Sequence, residues 1–165
     1  MGKYKFTTGD VDESVLIMTE AAQWLIDTGE PMWSLDELSR NALRNPPHEF
    51  IVMYDADGNS ISTLLLSYED KFFYPEIPPN TSGFIHKLAI RRKYAGKGLA
   101  KILIDYVKSV CKEKGIESIR LDCDPHRNKL CAFYESLGFG MTEIKRMNTR
   151  RMGEIDVALY KLDLN

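Results

Sequence analysis

At 165 residues the chain suits a single domain spanning 1–165, large enough to bury roughly two thirds of its unfolded surface. A charged fraction of 28%, a hydrophobic fraction of 44% and a net charge of −2 are ordinary for a globular protein and argue against a general nucleic-acid binder. No apolar run approaches the length of a membrane span, the N-terminus has no signal-peptide core, and Cys111, Cys123 and Cys131 show neither CxxC nor metal-type spacing, so a reduced cytoplasmic protein without a metal centre is expected.

In chain order, Tyr4 to Thr7 reads as a strand. A helix comes next, from about Val11 to Thr28, opened by the Asp10-x-x-Glu13 capping box and stopped by Gly29. Ser34-x-x-Glu37 opens a shorter helix through about Leu43, and Pro46-Pro47 forbids its continuation. Two strands, Phe50 to Tyr54 and Ile61 to Ser67, form a hairpin around Asp57-Gly58. Residues 69–82, with Pro75, Pro78 and Pro79, form a loop, and Phe84 to Ile90 is an apolar strand.

That strand gives way to the basic turn Arg91-Arg92-Lys93-Tyr94 and then to Ala95-Gly96-Lys97-Gly98-Leu99-Ala100. This segment opens a helix, because Leu99, Ile102, Leu103, Tyr106, Val107, Val110 and Cys111 keep three-and-four spacing up to Gly115. Ile116 to Asp124 is a strand in which Ile119, Leu121 and Cys123 alternate with Arg120 and Asp122, and Pro125 closes it. A last helix runs from near Asn128 to Gly138 with Leu130, Phe133, Tyr134 and Leu137 as its apolar stripe, and two more strands span roughly Met141 to Met147 and Ile155 to Leu162. The sequence has neither an internal repeat nor a low-complexity segment.

A glycine-rich turn that opens a helix is an anion-binding device. Without Cβ atoms the backbone approaches a phosphate closely, and the orphan N–H groups of the first helical turn donate to its oxygens with the helix dipole behind them. Spacing excludes two familiar versions. A Walker loop needs glycine where Arg91 stands and Ser or Thr where Gly98 stands, and the dinucleotide fingerprint needs glycine where Lys101 stands. A tight turn also needs glycine with no ligand present, and the basic cluster Arg91, Arg92, Lys93, Lys97 and Lys101 reads either as a solvated face or as the flank of a phosphate site.

The segment Ala95-x-x-Gly98-x-Ala100 resembles the phosphate loop of the GCN5-related N-acetyltransferase (GNAT) family, Gln/Arg-x-x-Gly-x-Gly/Ala. A later family pattern, Asn followed six residues on by Tyr and then by Gly-Phe, is matched by Asn128, Tyr134, Gly138 and Phe139. The likeness is specific over residues 84–140 and architectural outside them. His86-Lys87-Leu88-Ala89-Ile90-Arg91-Arg92, with Leu121-Asp122-Cys123-Asp124, is similar to a bacterial branch of the family whose substrates are mostly unassigned. The resemblance implies an α/β fold of GNAT type, a central mixed β-sheet with helices on both faces.

It also implies acetyl-CoA as cosubstrate and acetyl transfer to a primary amine of a small molecule or peptide by direct attack in a ternary complex. Cofactor contacts then fall on the strand edge Leu88, Ala89 and Ile90, on the loop Ala95, Gly96, Lys97, Gly98, Leu99 and Ala100, and on Asn128 and Tyr134. Ala95 departs from the family's Gln or Arg, leaving more of the phosphate contact to backbone donors. The side chains of Leu88 and Ile90 read as core.

Tyr134 is either a core aromatic or, by the family pattern, the acid that protonates the departing thiolate. Asn128 is an N-cap, a ligand contact, or both. His86 is a structural histidine or the base that takes the amine proton, with Asp122, Glu76 and a water chain as rivals. Acceptor choice falls to Glu30, Trp33, Asp70, Tyr74 and Glu76, which also suit an ordinary surface. The expected partners are a CoA thioester and an amine acceptor, with a homodimer open and neither nucleic acid nor membrane. The alternative reading is a non-catalytic acyl-CoA sensor or interaction module on the same fold.

Overall fold

A computed structural model of the protein describes residues 3–43 and 47–165. Seven strands, β1 (Lys5–Thr8), β2 (Glu49–Tyr54), β3 (Ser60–Ser67), β4 (Ser82–Ile90), β5 (Ser118–Cys123), β6 (Gly140–Thr149) and β7 (Gly153–Asp163), form one mixed sheet in the order β1-β2-β3-β4-β5-β7-β6. Three helices accompany them: α1 (Val11–Asp27), α2 (Leu99–Glu113) and α3 (Asn128–Ser136). β4 and β5 run parallel, while β1/β2, β2/β3, β5/β7 and β6/β7 are antiparallel. Every predicted strand is present, and α1, α2 and α3 fall where periodicity places them.

By contact density the chain forms two compact units, the first made of residues up to Ser67 with Ile85–Val107, the second of Tyr68–Phe84 with Lys108–Asn165. In the first, Ile17, Met18 and Ala22 of α1 are fully buried against Phe50, Val52, Leu65 and Ala89. Each large side chain removed from water in this way contributes about 1.5–3 kcal/mol. Ser14 lies on the same stripe, 2.6 Å from the Thr63 hydroxyl. Since Thr63 donates to the Ile51 carbonyl at 2.7 Å, Ser14 must donate to Thr63, and both hydroxyls are satisfied in the core.

Phe50 and Val52 point to one face of β2, so Met53 and its partner Phe6 point to the other, where Tyr106 of α2 stacks on Phe6 at 4.1 Å. Helices therefore cover both faces, as expected. In the second unit, Tyr74, Phe84, Val157 and Leu159 form a smaller core. There the Tyr74 hydroxyl donates to the Leu121 carbonyl at 2.7 Å, with the Tyr160 carbonyl 3.2 Å away, fastening the 68–81 loop to two adjacent strands.

Two local readings are corrected. Neither Asp10 nor Ser34 makes a side-chain cap hydrogen bond; at the first box the carboxylates have tertiary partners, Asp10 accepting from the Tyr54 and Thr7 hydroxyls and Glu13 from Ser60 and Arg91, and at the second Glu37 pairs with Lys87. The helix predicted from Ser34 to Leu43 is only a 3-10 turn at Leu35–Leu38. Ser39 adopts extended backbone and its hydroxyl accepts from the Ala42 amide, so the chain turns instead of winding on, while Leu38 and Leu43 still reach the α1 core. Pro46 lies outside the described residues.

Arg91, just past β4, engages every donor edge of its guanidinium. Nη1 donates to Glu20 at 2.8 Å, Nη2 to Glu13 at 3.1 Å and Nε to Ser60 at 3.0 Å. Its backbone amide bonds to the Ile61 carbonyl and the Arg92 amide to Glu20, tying the turn to α1 and β3. Arg91→Leu leaves two carboxylates facing each other without a counter-charge. Allowing for their partial exposure, we expect a loss of about 2 kcal/mol in urea unfolding with an unchanged m-value; a loss below about 0.5 kcal/mol would show that the network is decorative.

Candidate active site

The residues singled out in the sequence divide between the units: His86, Leu88–Ile90 and Ala95–Ala100 belong to the first, Asn128 and Tyr134 to the second. In the first, β4 ends at Ile90 and a 3-10 turn at Arg92–Tyr94 leads to the glycine segment and α2. Gly96 and Gly98 sit at φ of +76° and +73°, and a Cβ built on either meets nothing within 4 Å. Backbone conformation, not crowding, therefore calls for glycine here. The amides of Gly96, Lys97, Gly98, Leu99 and Ala100 make no backbone hydrogen bond to a described residue. The result is a row of donors at the positive end of a 15-residue helix.

Most of the basic cluster has partners within the protein. Arg91 is held by Glu13 and Glu20, the Arg92 guanidinium lies 3.6 Å over the Trp24 ring, Lys93 sits 5.1 Å over Tyr94, and Lys101 pairs with Asp105 at 2.8 Å. Lys97 is exposed and pairs with no described residue.

Along β4, Lys87 has φ of +52°, a left-handed conformation that costs a non-glycine residue on the order of 1–3 kcal/mol. Nothing in the sequence announces it, since lysine is not a residue that seeks positive φ. The kink breaks the expected alternation: Ala89 is the residue packed into the α1 core, while Leu88 and Ile90 are only half-buried and are not core side chains. The Lys87 ammonium is 3.6 Å from Glu37 and 5.2 Å from the Trp33 ring centre. The described parallel ladder with β5 covers Ser82↔Ser118 to Phe84↔Arg120, the first three residues of β4. His86 lies 3.3 Å from the Ser67 hydroxyl through Nε2 and edge-on to His48 at 5.3 Å. Burial, and secondarily the Lys87 charge, push its pKa down to about 4.

In the second unit Tyr134 is buried between Phe133 and Phe139, the latter edge-on at 5.9 Å. Gly138 makes that packing work. It has φ of +99°, and a Cβ there would stand 3.2 Å from Leu162, so α3 ends abruptly and Phe139 folds back with its amide on the Tyr134 carbonyl. Burial, with lesser contributions from Cys123 and Asp122, raises the Tyr134 pKa well above the ordinary phenol value. No described residue hydrogen bonds to its hydroxyl.

Asn128 is not an N-cap. Arg127 holds that position, and Asn128 is the exposed first residue of α3. The three thiols are free; Cys123 and Cys131 lie 3.8 Å apart. Two of the acceptor-side candidates are internal. Asp70 accepts from the Phe72 and Phe73 amides, and Tyr74 bridges two strands. Glu30 and Glu76 are exposed and Trp33 is half-buried.

The model of the "Acetyltransferase (GNAT) family" matches residues 18–139, well over half the chain. The uncharacterized N-acetyltransferase YesJ of Bacillus subtilis (strain 168) is 24% identical over 139 residues, covering 79% of this chain and 76% of that protein. Among solved structures, the ribosomal-protein-S18-alanine N-acetyltransferase of Escherichia coli superposes with a TM-score of 0.67 at 16% identity, covering 98% of this chain and 94% of the other. The protein yncA of Salmonella typhimurium, solved with its cofactor acetyl-CoA, gives a TM-score of 0.66 at 15% identity, with 98% and 94% covered. No described helix is long and apolar enough to cross a membrane.

The depressed His86 pKa has a consequence for stability. Below pH 6.5 the unfolded chain takes up a proton that the folded protein refuses until about pH 4, so this group destabilises the fold progressively as pH falls through that window. The full effect amounts to about 3 kcal/mol. Denaturant melts at pH 7 and pH 4.5 should show a smaller acid-induced loss for His86→Gln than for the unaltered protein. Parallel losses in the two would contradict a buried neutral His86.

Proposed function

Because the chain belongs to the GNAT acetyltransferase family and is thus an acetyl-CoA-dependent N-acetyltransferase, we propose that it acetylates a primary amine of a small molecule or peptide within a direct ternary complex. The observation that carries the proposal is the row of amides from Gly96 to Ala100 that make no backbone hydrogen bond to a described residue, with two left-handed glycines at the start of α2. These amides suit the pyrophosphate of CoA, with Ala95 adding no side-chain donor and Lys97, which pairs with no described residue, a basic side chain within the loop itself. The backbone of Leu88, Ala89 and Ile90 lies past the end of the described β5 ladder and just after the Lys87 kink, and it would hold the pantetheine arm by hydrogen bonds. Asn128, exposed at the head of α3, completes the cofactor set.

Bound acetyl-CoA supplies an acetyl thioester, electrophilic at its carbonyl carbon. Tyr134 keeps its proton at every physiological pH because burial raises its pKa, and its Oη is the proposed donor to the departing sulfur. His86 is the proposed acceptor of the amine proton. Its ring is neutral above about pH 5, but the burial that keeps it neutral also makes it a weak base, so it would carry the proton only in passing it on to solvent. Glu30, Trp33 and Glu76 are the remaining candidates for acceptor contacts. Family membership favours this enzyme over a non-turning binding module. The proposal extends to a single catalytic domain working in the cytoplasm on free substrates, as a monomer or homodimer, away from membranes and nucleic acid. Free thiols and the lack of a membrane-spanning helix among the described residues support that setting.

Thiol release from acetyl-CoA over a panel of amines tests the activity, and Tyr134→Phe tests the acid. We expect kcat to fall by roughly 10²-fold with acetyl-CoA affinity nearly unchanged, and the defect to shrink for thioester donors whose thiols are more acidic. Wild-type turnover in Tyr134→Phe, with chemistry rate-limiting, would remove Tyr134 from the mechanism.

A further inference from the structure

Within the second unit a cavity of about 230 Å³ opens where β4 and β5 begin. Ile77 and Pro78 line it on one side, and Arg120, Lys161, Asp163 and Glu117 supply charge. Arg120 and Lys161 are direct cross-strand partners in the β5/β7 register, an arrangement in which like charges repel at close range. Lys161 has a neutralising partner, Asp163 at 3.1 Å. Arg120 has none: its Nε donates to the Ser82 hydroxyl at 3.1 Å, Ser82 is in turn bonded to Ser118 at 2.8 Å, and no described carboxylate pairs with the guanidinium. A half-buried cation is thus left with both terminal nitrogens uncommitted, 5.5 Å from the Tyr74 ring, in a cavity that it lines.

We propose that this cavity binds a small organic monocarboxylate, anchored bidentately by the Arg120 fork. The two parallel N–H donors of a guanidinium match the geometry of a carboxylate, and the pair relieves the repulsion across Arg120 and Lys161. Asp163 and Glu117 at the same cavity disfavour a multiply charged anion such as phosphate. Ile77 and Pro78 offer an apolar wall to the body of the ligand. None of these residues belongs to the acetyl-transfer proposal, and the inference stands whether or not that proposal does.

Benzoate is a suitable probe, followed by ¹H–¹⁵N NMR of the 165-residue chain with and without saturating CoA. We expect saturable shifts of the Arg120 Nε–Hε signal and of the Ser118 and Lys161 amides, at a strength indifferent to CoA. Arg120→Met should weaken benzoate roughly tenfold to a hundredfold, Arg120→Lys nearly as much because the fork is lost, and Ile77→Glu should abolish binding by charge repulsion, all with CoA affinity unchanged. Benzoate binding that survives all three substitutions, or that is absent at tens of millimolar, would overturn the site. Equal competition by inorganic phosphate would overturn the choice of ligand class.

Discussion

The guanidinium of Arg91 decides where the chain lies as it leaves β4. Its three donor edges meet Glu20, Glu13 and Ser60, and the adjacent amides of Arg91 and Arg92 are bonded to Ile61 and Glu20. Five hydrogen bonds at one corner fix the start of the 3-10 turn, and the stacking of Arg92 on Trp24 holds the turn from outside. The backbone from Gly96 to the first turn of α2 is oriented by that anchor. Glu13 and Glu20 stand two helical turns apart on α1 and so share one face, which makes the helix the template on which the loop is set.

This arrangement reverses a natural reading of the sequence. A run of arginines and lysines beside a glycine turn suggests side chains reaching for phosphate, yet Arg91 is turned to Glu13 and Glu20, and Arg92, itself exposed, lies over the exposed Trp24 ring. Anion binding by a helix N-terminus does not need them, because the amides carry partial positive charge that costs nothing to orient once the backbone is fixed. The same logic makes Ala95 tolerable in place of a polar residue. In the proposed site Arg91 supplies rigidity, and the backbone would supply recognition. The Lys87 kink works in a similar way, placing strain in β4 immediately before the three residues whose backbone is proposed to hold the pantetheine.

Most of the architecture was legible because it depends on periodicity and punctuation. The three-and-four spacing from Leu99 to Cys111, the alternation around Leu121 and the Asp57-Gly58 turn each act locally, and each element appears where its pattern lies. The readings that failed were local rules overridden by tertiary partners. Asp10 and Glu13 have the capping-box spacing but are drawn to Tyr54 and Arg91, and Asn128 yields the cap position to Arg127. The positive φ of Lys87, the internal use of Asp70 and Tyr74, and the lack of a carboxylate partner for Arg120 among the described residues left no trace in the sequence, since each depends on what stands across a strand or a loop. The order of Glu13 and Glu20 along one face of α1 was the one available hint of the Arg91 anchor.

The proposed site depends on whether the backbone from Gly96 to Ala100 receives the pyrophosphate of CoA. Calorimetric titration of CoA into Gly98→Asp tests it most directly, with Gly98→Asn to separate bulk from charge and Gly58→Asp, at a comparable φ of +86°, to control for left-handed strain. Gly98→Asp should fold, because a Cβ there meets open space, and should lose measurable CoA binding, while Gly58→Asp should bind like the unaltered protein. A folded Gly98→Asp variant with unchanged CoA affinity would contradict it.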